Sequence, residues 1–330
     1  MKKTVLTGIK PTGDVHVGNY IGSIKPSLLL AQEQAYQPVY FIADYHALTT
    51  PRTHADSKTL SYGVAATWLA LGLEPEKVIF YKQSDVPEIY ELSWILSCVT
   101  HKGFMNRAHA YKAITDKNRL NGSEQDLNVN MGLFNYPILM AADVLSFQSE
   151  IVPVGKDQIQ HIEIARDIAQ SFNSTYGDTF KLPNYKIDED TATLPGLDGR
   201  KMSKSYHNTI PLFAEPKVLQ KLINKIKTDS STPDAPKDPN ASVLFTLYKE
   251  FGTPEQINEL REQFIRGISW GQVKNELFTV MNTALTEPRG KYQQFMASPK
   301  TIDQILEEGA QKARAITGPI LRDVKDKIGL

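Results

Sequence analysis

Thr4-Val5-Leu6-Thr7, followed by Gly8-Ile9-Lys10-Pro11-Thr12-Gly13-Asp14-Val15-His16-Val17-Gly18-Asn19-Tyr20, is the stretch that decides how this chain reads. Its first four residues are apolar or β-branched and predict a short buried strand, and the segment from about His16 to Glu33 predicts a helix. Strand, glycine turn and helix together make an arrangement suited to nucleotides. Glycine lets the backbone approach a ligand closely, and the first turn of a helix offers unpaired N–H groups with a partial positive charge. Gly18, just inside the helix, leaves room for a flat base or a ribose. A histidine at a helix start, such as His16, is by itself more often a satisfied polar side chain, so a functional reading needs a second element.

The same alternation continues along the chain. Pro38 to Ala43 and Val78 to Tyr81 predict further buried strands, with a helix from about Ala55 to Leu71 that Gly72 ends and another starting near Pro87. Ile151 to Val154 reads as the last strand. Apolar strands alternating with helices predict a parallel sheet covered on both faces, a Rossmann-like α/β domain. Ligands of such sheets bind beyond the carboxyl ends of the strands, which places Gly8 to Asn19, His46 and Gln83 on the binding rim. Residues 113–130 are polar and glycine-bearing and read as a mobile excursion. Leu133 to Phe147 predicts a strongly apolar helix on which Tyr136, Met140 and Asp143 share one face at i, i+4 and i+7. Asp143 there requires a partner, an arginine or a ligand, because an unpaired buried carboxylate is costly, and a mid-helix position argues against a capping role.

The second element is Lys201-Met202-Ser203-Lys204-Ser205, approached through Pro195-Gly196-Leu197-Asp198-Gly199-Arg200. Two lysines and two serines on one short loop can hold a polyphosphate: ammonium groups act as mobile point charges, and hydroxyls and backbone N–H groups add directional bonds. From about Asn208 onward helical periodicity takes over, at Glu215 to Lys227, Pro254 to Arg266, Trp270 to Thr286, Pro288 to Met296 and Thr301 to Lys327, with a loop from Thr228 to Asn240. The organisation expected is a catalytic domain of residues 1–208, whose lysine loop spans 195–208, and an α-helical unit of residues 209–330.

Composition narrows the class. The 330 residues are 41% hydrophobic and 22% charged, ordinary for a soluble globular protein, and no apolar run approaches a membrane span. Met1-Lys2-Lys3 leads directly into a strand without a signal-peptide core, so a cytoplasmic location is expected. Cys98 is the single cysteine, which excludes an internal disulfide or a multi-cysteine metal site, and its apolar surroundings predict a small core residue. The 37 basic and 37 acidic side chains balance. A nucleic-acid partner therefore has to find a locally basic surface, since phosphate binding ordinarily leaves a basic footprint.

Taken together, the two elements resemble the signatures of the class I aminoacyl-tRNA synthetases. His16-Val17-Gly18-Asn19 is similar to the first, usually His-Ile-Gly-His, and Lys201 to Ser205 matches the second without a substitution. The longer form Gly-x-x-Pro-Thr-Gly-x-x-His-Val-Gly-Asn-Tyr resembles the tryptophan branch of that class. Asp44-Tyr45-His46-Ala47, Tyr136 to Asp143, and Val152 to Gln158 followed by His161-Ile162-Glu163 add to the likeness.

This resemblance implies activation of L-tryptophan by ATP and its transfer to tRNA(Trp), with Mg²⁺ bound mainly through the ATP phosphates and no metal held by the protein itself. It implies catalytic roles for Lys201, Lys204, His16 and Lys10. The ATP site it implies comprises Lys10, Pro11, Thr12, Gly18, Asn19, Gly155, Lys156, Asp157, Leu194, Lys201, Met202, Ser203, Lys204 and Ser205. The tryptophan site would comprise Leu6, Gly8, His46, Tyr136, Met140, Val152, Val154 and Gln158 around Asp143. His161 and Glu163 read as structural or supporting groups. By the same likeness the protein is a homodimer and residues 209–330 bind the anticodon. Lys10 departs from the usual pattern, which has Gln there, and reads either as a phosphate contact or as a solvent-facing side chain. Two alternatives stay open: the tyrosine branch, which would pair Tyr136 with Asp143 around a phenol, and a non-catalytic tRNA- or nucleotide-binding relative, in which the signature lysines would be expected to decay.

Overall fold

Among the described residues five short strands form one parallel sheet: β1 (Lys3–Ile9), β2 (Tyr36–Ile42), β3 (Ile79–Lys82), β4 (Ile151–Pro153) and β5 (Asn184–Lys186), in the order β3-β2-β1-β4-β5. The computed structural model describes residues 2–50, 54–155, 158–186 and 194–330. Val39 to Ile42 are all buried, as strands covered on both faces require. Strand order reverses between β1 and β4, so the crevice beyond their carboxyl ends is the place where such a sheet takes a ligand. Ile151–Pro153 is not the last strand. Asn184, Tyr185 and Lys186 pair with Ile151, Val152 and Pro153, yet all three are exposed and form no apolar run, so pairing at the sheet edge left no hydrophobic signal.

The first helix begins at Val17–Asn19, widens into a π-turn over Tyr20–Ile24 and resumes as Lys25–Gln32. Pro26 has no N–H to offer the carbonyl four residues back, which is Gly22, inside the widened turn. His54–Ala70 and Pro87–Cys98 lie where expected, and Gly72 takes the positive φ of +97° that follows the former. Much of the expected excursion at 113–130 is instead helix, His109–Leu120, whose buried face is Tyr111, Thr115 and Asn118. Two of those three residues are polar, which hides the periodicity. The Asn118 amide then ties down the following turn by donating to the carbonyls of Gln125 and Leu127.

Met131–Leu145 is capped by Asn130, whose side chain accepts from Leu133 N–H at 2.8 Å. Asp143 therefore sits in the last turn of this helix rather than in its middle. Cys98 is exposed, a correction to its expected place in the core: Pro87–Cys98 turns Ile89, Leu92, Ile95 and Leu96 inward and leaves Cys98 on the outer face.

The carboxyl-terminal helices are Pro216–Asn224, Val243–Lys249, Pro254–Arg266, Trp270–Ala297 and Pro299–Ile328. Val243–Lys249 carried no separate expectation, and Pro288 does not divide Trp270–Ala297, because one missing N–H in a long packed helix is tolerated when its flanks are buried. Pro299–Ile328 returns to the sheet. Its Ile302 and Leu306 join Tyr40, Ile42 and Phe80 in one core, and its Ala310, Ala313, Leu321 and Val324 join a second core with Leu6 and Val152. Gly309 is needed at this crossing, since a Cβ there would stand 1.7 Å from the Phe80 carbonyl oxygen. A third core unites Val17 and Ile21 with Leu194, Met202, Ile210 and the helices after residue 216, so the glycine turn and the lysine loop rest on one apolar body.

Candidate active site

Asp143 is 1% exposed, and both of its carboxylate oxygens are engaged. His46 Nε2 lies 2.8 Å from Oδ2, and Gln83 Nε2 donates to Oδ1 at 2.7 Å. Three elements supply this cluster: the last turn of Met131–Leu145, the short helix Asp44–Ala47 after β2, and the turn Gln83–Asp85 after β3. Burial pushes the Asp143 carboxyl up from the usual carboxylate range, and the His46 and Gln83 bonds pull it the other way. The partner is thus a histidine and an amide, not the arginine considered from sequence. Each carboxylate oxygen has two acceptor directions, so one remains on each.

The sequence places His46 on the rim and in the tryptophan site, and Gln83 on the rim alone; together they orient the carboxylate. Beside them the Tyr136 hydroxyl lies 2.6 Å from His161 Nε2, whose Nδ1 lies 2.7 Å from Gln158 Oε1. His161 is buried and links two expected tryptophan-site residues, while Glu163 is exposed. Tyr136 is committed to His161 and does not bond Asp143, so the tyrosine–aspartate pair that a phenol-reading site would need is not formed. Met140 and Val154 are half-buried and pack on the core that contains Leu6 and Val152. Gly8 is exposed on one side, and on its other side a Cβ would stand 2.4 Å from the Phe41 ring, so this glycine answers to a core phenylalanine as well as to the rim.

The elements expected on the phosphate side, the glycine turn and the lysine loop, meet each other. His16 caps the first helix: its Nδ1 accepts from Asn19 N–H at 3.2 Å, and its own N–H donates to Asn19 Oδ1 at 3.2 Å. That bond needs an unprotonated Nδ1, which puts the proton of the neutral ring on Nε2. Burial, and after it the Lys204 charge, lower the His16 pKa from 6.5 to about 4. An unfolded chain therefore takes up a proton between pH 6.5 and about 4 that the folded one refuses, and stability falls as pH drops through that window. In urea unfolding between pH 7 and 4, a His16→Gln variant, which titrates nothing there, should lose less stability than the parent; parallel losses would remove His16 as a source of the slope.

Lys204 reaches the glycine turn. A Cβ built on Gly13, at a φ of +139°, would meet Lys204 Nζ at 3.3 Å, and Lys201 is exposed. Gly18 N–H points to Met202 Sδ at 3.3 Å, so the space that a side chain at 18 would need is shared by His16 and Met202. Met202 N–H donates to the Leu194 carbonyl at 2.8 Å, Val17 N–H to the Ile210 carbonyl at 2.9 Å, and Ser203 caps the turn Lys204–Tyr206 by accepting from Ser205 N–H. The lysine loop and the first signature are thereby stitched together on both sides. Lys10 Nζ donates to Thr49 Oγ1 at 2.8 Å, and Thr49 Oγ1 in turn donates to the His46 carbonyl. Pro11 is buried, Thr12 half-buried, and Gly155 exposed just before Gln158. Lys156 and Asp157 lie outside the described residues.

Comparisons with known proteins give a consistent picture. A family model described as tRNA synthetases class I (W and Y) matches residues 2–286. A tryptophan–tRNA ligase of Pseudomonas putida is 51% identical over 100% of this chain and 74% of its own length. One from Neisseria meningitidis is 49% identical over 100% of this chain and 98% of its own. Among solved structures, the tryptophanyl-tRNA synthetase of Campylobacter jejuni complexed with ADP and tryptophan superposes with a TM-score of 0.90 at 43% identity, covering 99% of this chain and 100% of that one. Among the described residues no helix is long and apolar enough to cross a membrane.

Proposed function

The chain belongs to the class I tRNA synthetases of the W and Y family, and from that membership we infer that it activates L-tryptophan with ATP and transfers it to the terminal adenosine of tRNA(Trp). The reaction is that of a tryptophan–tRNA ligase. The observation that carries the choice of amino acid is Asp143, a buried carboxylate oriented by His46 and Gln83 with acceptor capacity left over. An indole N–H can only donate, so a buried acceptor is its complement. Leu6, Gly8, Met140, Val152 and Val154 supply walls, and Gln158, held by His161, is proposed to meet the ammonium end with Tyr136.

In the first step a carboxylate oxygen of tryptophan attacks the α-phosphorus of ATP, and the bond from that phosphorus to the bridging oxygen breaks to release pyrophosphate. The substrate supplies the nucleophile, so the protein contributes orientation and charge. Lys204, with Lys201 as its more exposed companion, is proposed to stabilise the departing pyrophosphate. His16, Pro11, Thr12, Gly18 and Asn19 hold triphosphate and adenosine, with Leu194, Met202, Ser203 and Ser205 closing over them and Gly155, Lys156 and Asp157 at the ribose. In the second step a ribose hydroxyl of the tRNA attacks the activated carbonyl and AMP leaves. Lys204 at Gly13 and Lys10 with the Thr49 hydroxyl line the proposed phosphate end, so Mg²⁺ bound there would find its ligands mainly in phosphate and water. Its contribution would be to neutralise phosphate charge.

Lys10 is proposed as a further ATP contact, since its bond to Thr49 fixes an exposed ammonium beside the glycine turn. Lys10→Gln should raise the ATP requirement several-fold and shift the Mg²⁺ dependence; the same ATP and Mg²⁺ dependence as the parent would sink this role. A homodimer, a cytoplasmic location and anticodon binding by residues 209–330 complete the proposal. The deciding experiment incubates the purified protein with ATP, labelled pyrophosphate and each amino acid separately. Exchange with tryptophan alone is expected. Exchange with tyrosine, or with none, would favour the tyrosine branch or a non-catalytic relative.

A further inference from the structure

Asn208 lies outside both signatures and is 2% exposed, and its amide is spent entirely on the lysine loop. Oδ1 accepts from the Ser203 N–H at 2.8 Å, the amide bond between the two lysines' halves of the loop. Nδ2 donates to Asp198 Oδ1 at 2.6 Å and to the Lys201 carbonyl at 3.1 Å. Its backbone carbonyl accepts from Leu197 N–H at 3.0 Å. The chain reaches this position through His207, which takes a positive φ of +52°, and Gly196 is bare because a Cβ there would stand 2.5 Å from the Asn208 amide. Two residues later, the Ile210 carbonyl accepts from Val17 N–H in the first helix. One buried side chain thus grips the loop before Lys201, at Lys201 and before Lys204, and stands beside its tie to the glycine turn.

We propose that Asn208 is a positioning residue for the activation step, holding the lysine loop in the shape that carries Lys204 to the glycine turn and so to the departing pyrophosphate. It touches no substrate; it acts through Lys204. Asp198 completes the device, for the Asn208 amide and the Arg200 guanidinium together hold its carboxyl below the usual range and keep it an acceptor. This inference rests on the proposed function and deepens it.

The test is tryptophan-dependent ATP–pyrophosphate exchange by the full chain. Asn208→Ala should lower kcat about 10- to 100-fold, the effect of a misplacement near one ångström, with the KM for tryptophan unchanged. In a Lys204→Ala background the same substitution should add little, because a group acting through Lys204 has nothing left to position. Asn208→Asp sets a carboxylate against Asp198 and should lose as much as Asn208→Ala, whereas adding Asp198→Asn restores a donor–acceptor pair and should recover at least part of kcat. A kcat equal to the parent's, full additivity with Lys204→Ala, or no recovery in the paired variant would overturn the proposal. A parent without tryptophan-dependent exchange would overturn the proposed function and this inference with it, while an active parent beside an undiminished Asn208→Ala variant overturns the inference alone.

Discussion

Lys204→Ala should lower tryptophan-dependent ATP–pyrophosphate exchange about 100- to 1000-fold, the usual consequence of removing one preorganised group that stabilises developing charge. The size follows from position. Lys204 Nζ lies against Gly13 and its charge reaches His16, whereas Lys201 is exposed, so the same substitution at Lys201 should cost less. Tryptophan binding, measured by calorimetry without ATP, should change little, because the lysine lies against Gly13, on the proposed phosphate side, and makes no bond to Asp143. The His16 imidazole offers a second readout: without the neighbouring ammonium its pKa should rise from about 4, a change that NMR follows directly. Equal exchange rates in variant and parent would refute the role of Lys204.

Asp143→Ala should lower kcat/KM for tryptophan by about 100-fold or more, while the KM for ATP stays near that of the parent. Sites built to bond a polar group of the substrate lose large factors when the bond goes, because buried partners are then left unpaired. Here the loss is compounded, since His46 and Gln83 would both lose their acceptor. Asp143→Asn separates the two effects. It keeps an acceptor oxygen at nearly the same shape, so it should fold as the parent does and lose less tryptophan affinity than Asp143→Ala. Tryptophan-dependent exchange unchanged in Asp143→Ala would remove the carboxylate from amino-acid recognition. The bond from Tyr136 to His161 bears on the same question, because it withholds from Asp143 the phenolic partner that a tyrosine-reading site would use.

The differences between sequence and structure have a common physical origin. β5 escaped notice because an exposed edge strand is held by backbone bonds, which leave no trace in side-chain type. Residues 113–120 read as part of an excursion because the buried face of His109–Leu120 carries a threonine and an asparagine, residues that offset burial with local hydrogen bonds. The apolar neighbours of Cys98 predict a core position, yet a helix turns by about 100° per residue, and Leu96 is buried while Cys98 is not. Gln83 is legible only as a rim residue and Asn208 only as a polar one, since an amide looks alike in any sequence until its partners are known.

By itself the amino-acid sequence determined a parallel sheet with a glycine turn at its rim and pointed to a nucleotide site there, because strand, glycine turn, helix and lysine loop are local patterns whose chemistry depends on near neighbours in the chain. The single aspartate on an apolar helix was likewise local and pointed to the proposed amino-acid pocket. Only the tertiary structure decided which groups serve that aspartate and that loop. His46, Gln83 and Asp143 come from three separated elements, and Lys204 meets Gly13 across nearly two hundred residues. Hydrogen bonds and Coulomb forces act over a few ångströms of space whatever the separation along the chain, so these pairings exist only once the cores beneath them have closed.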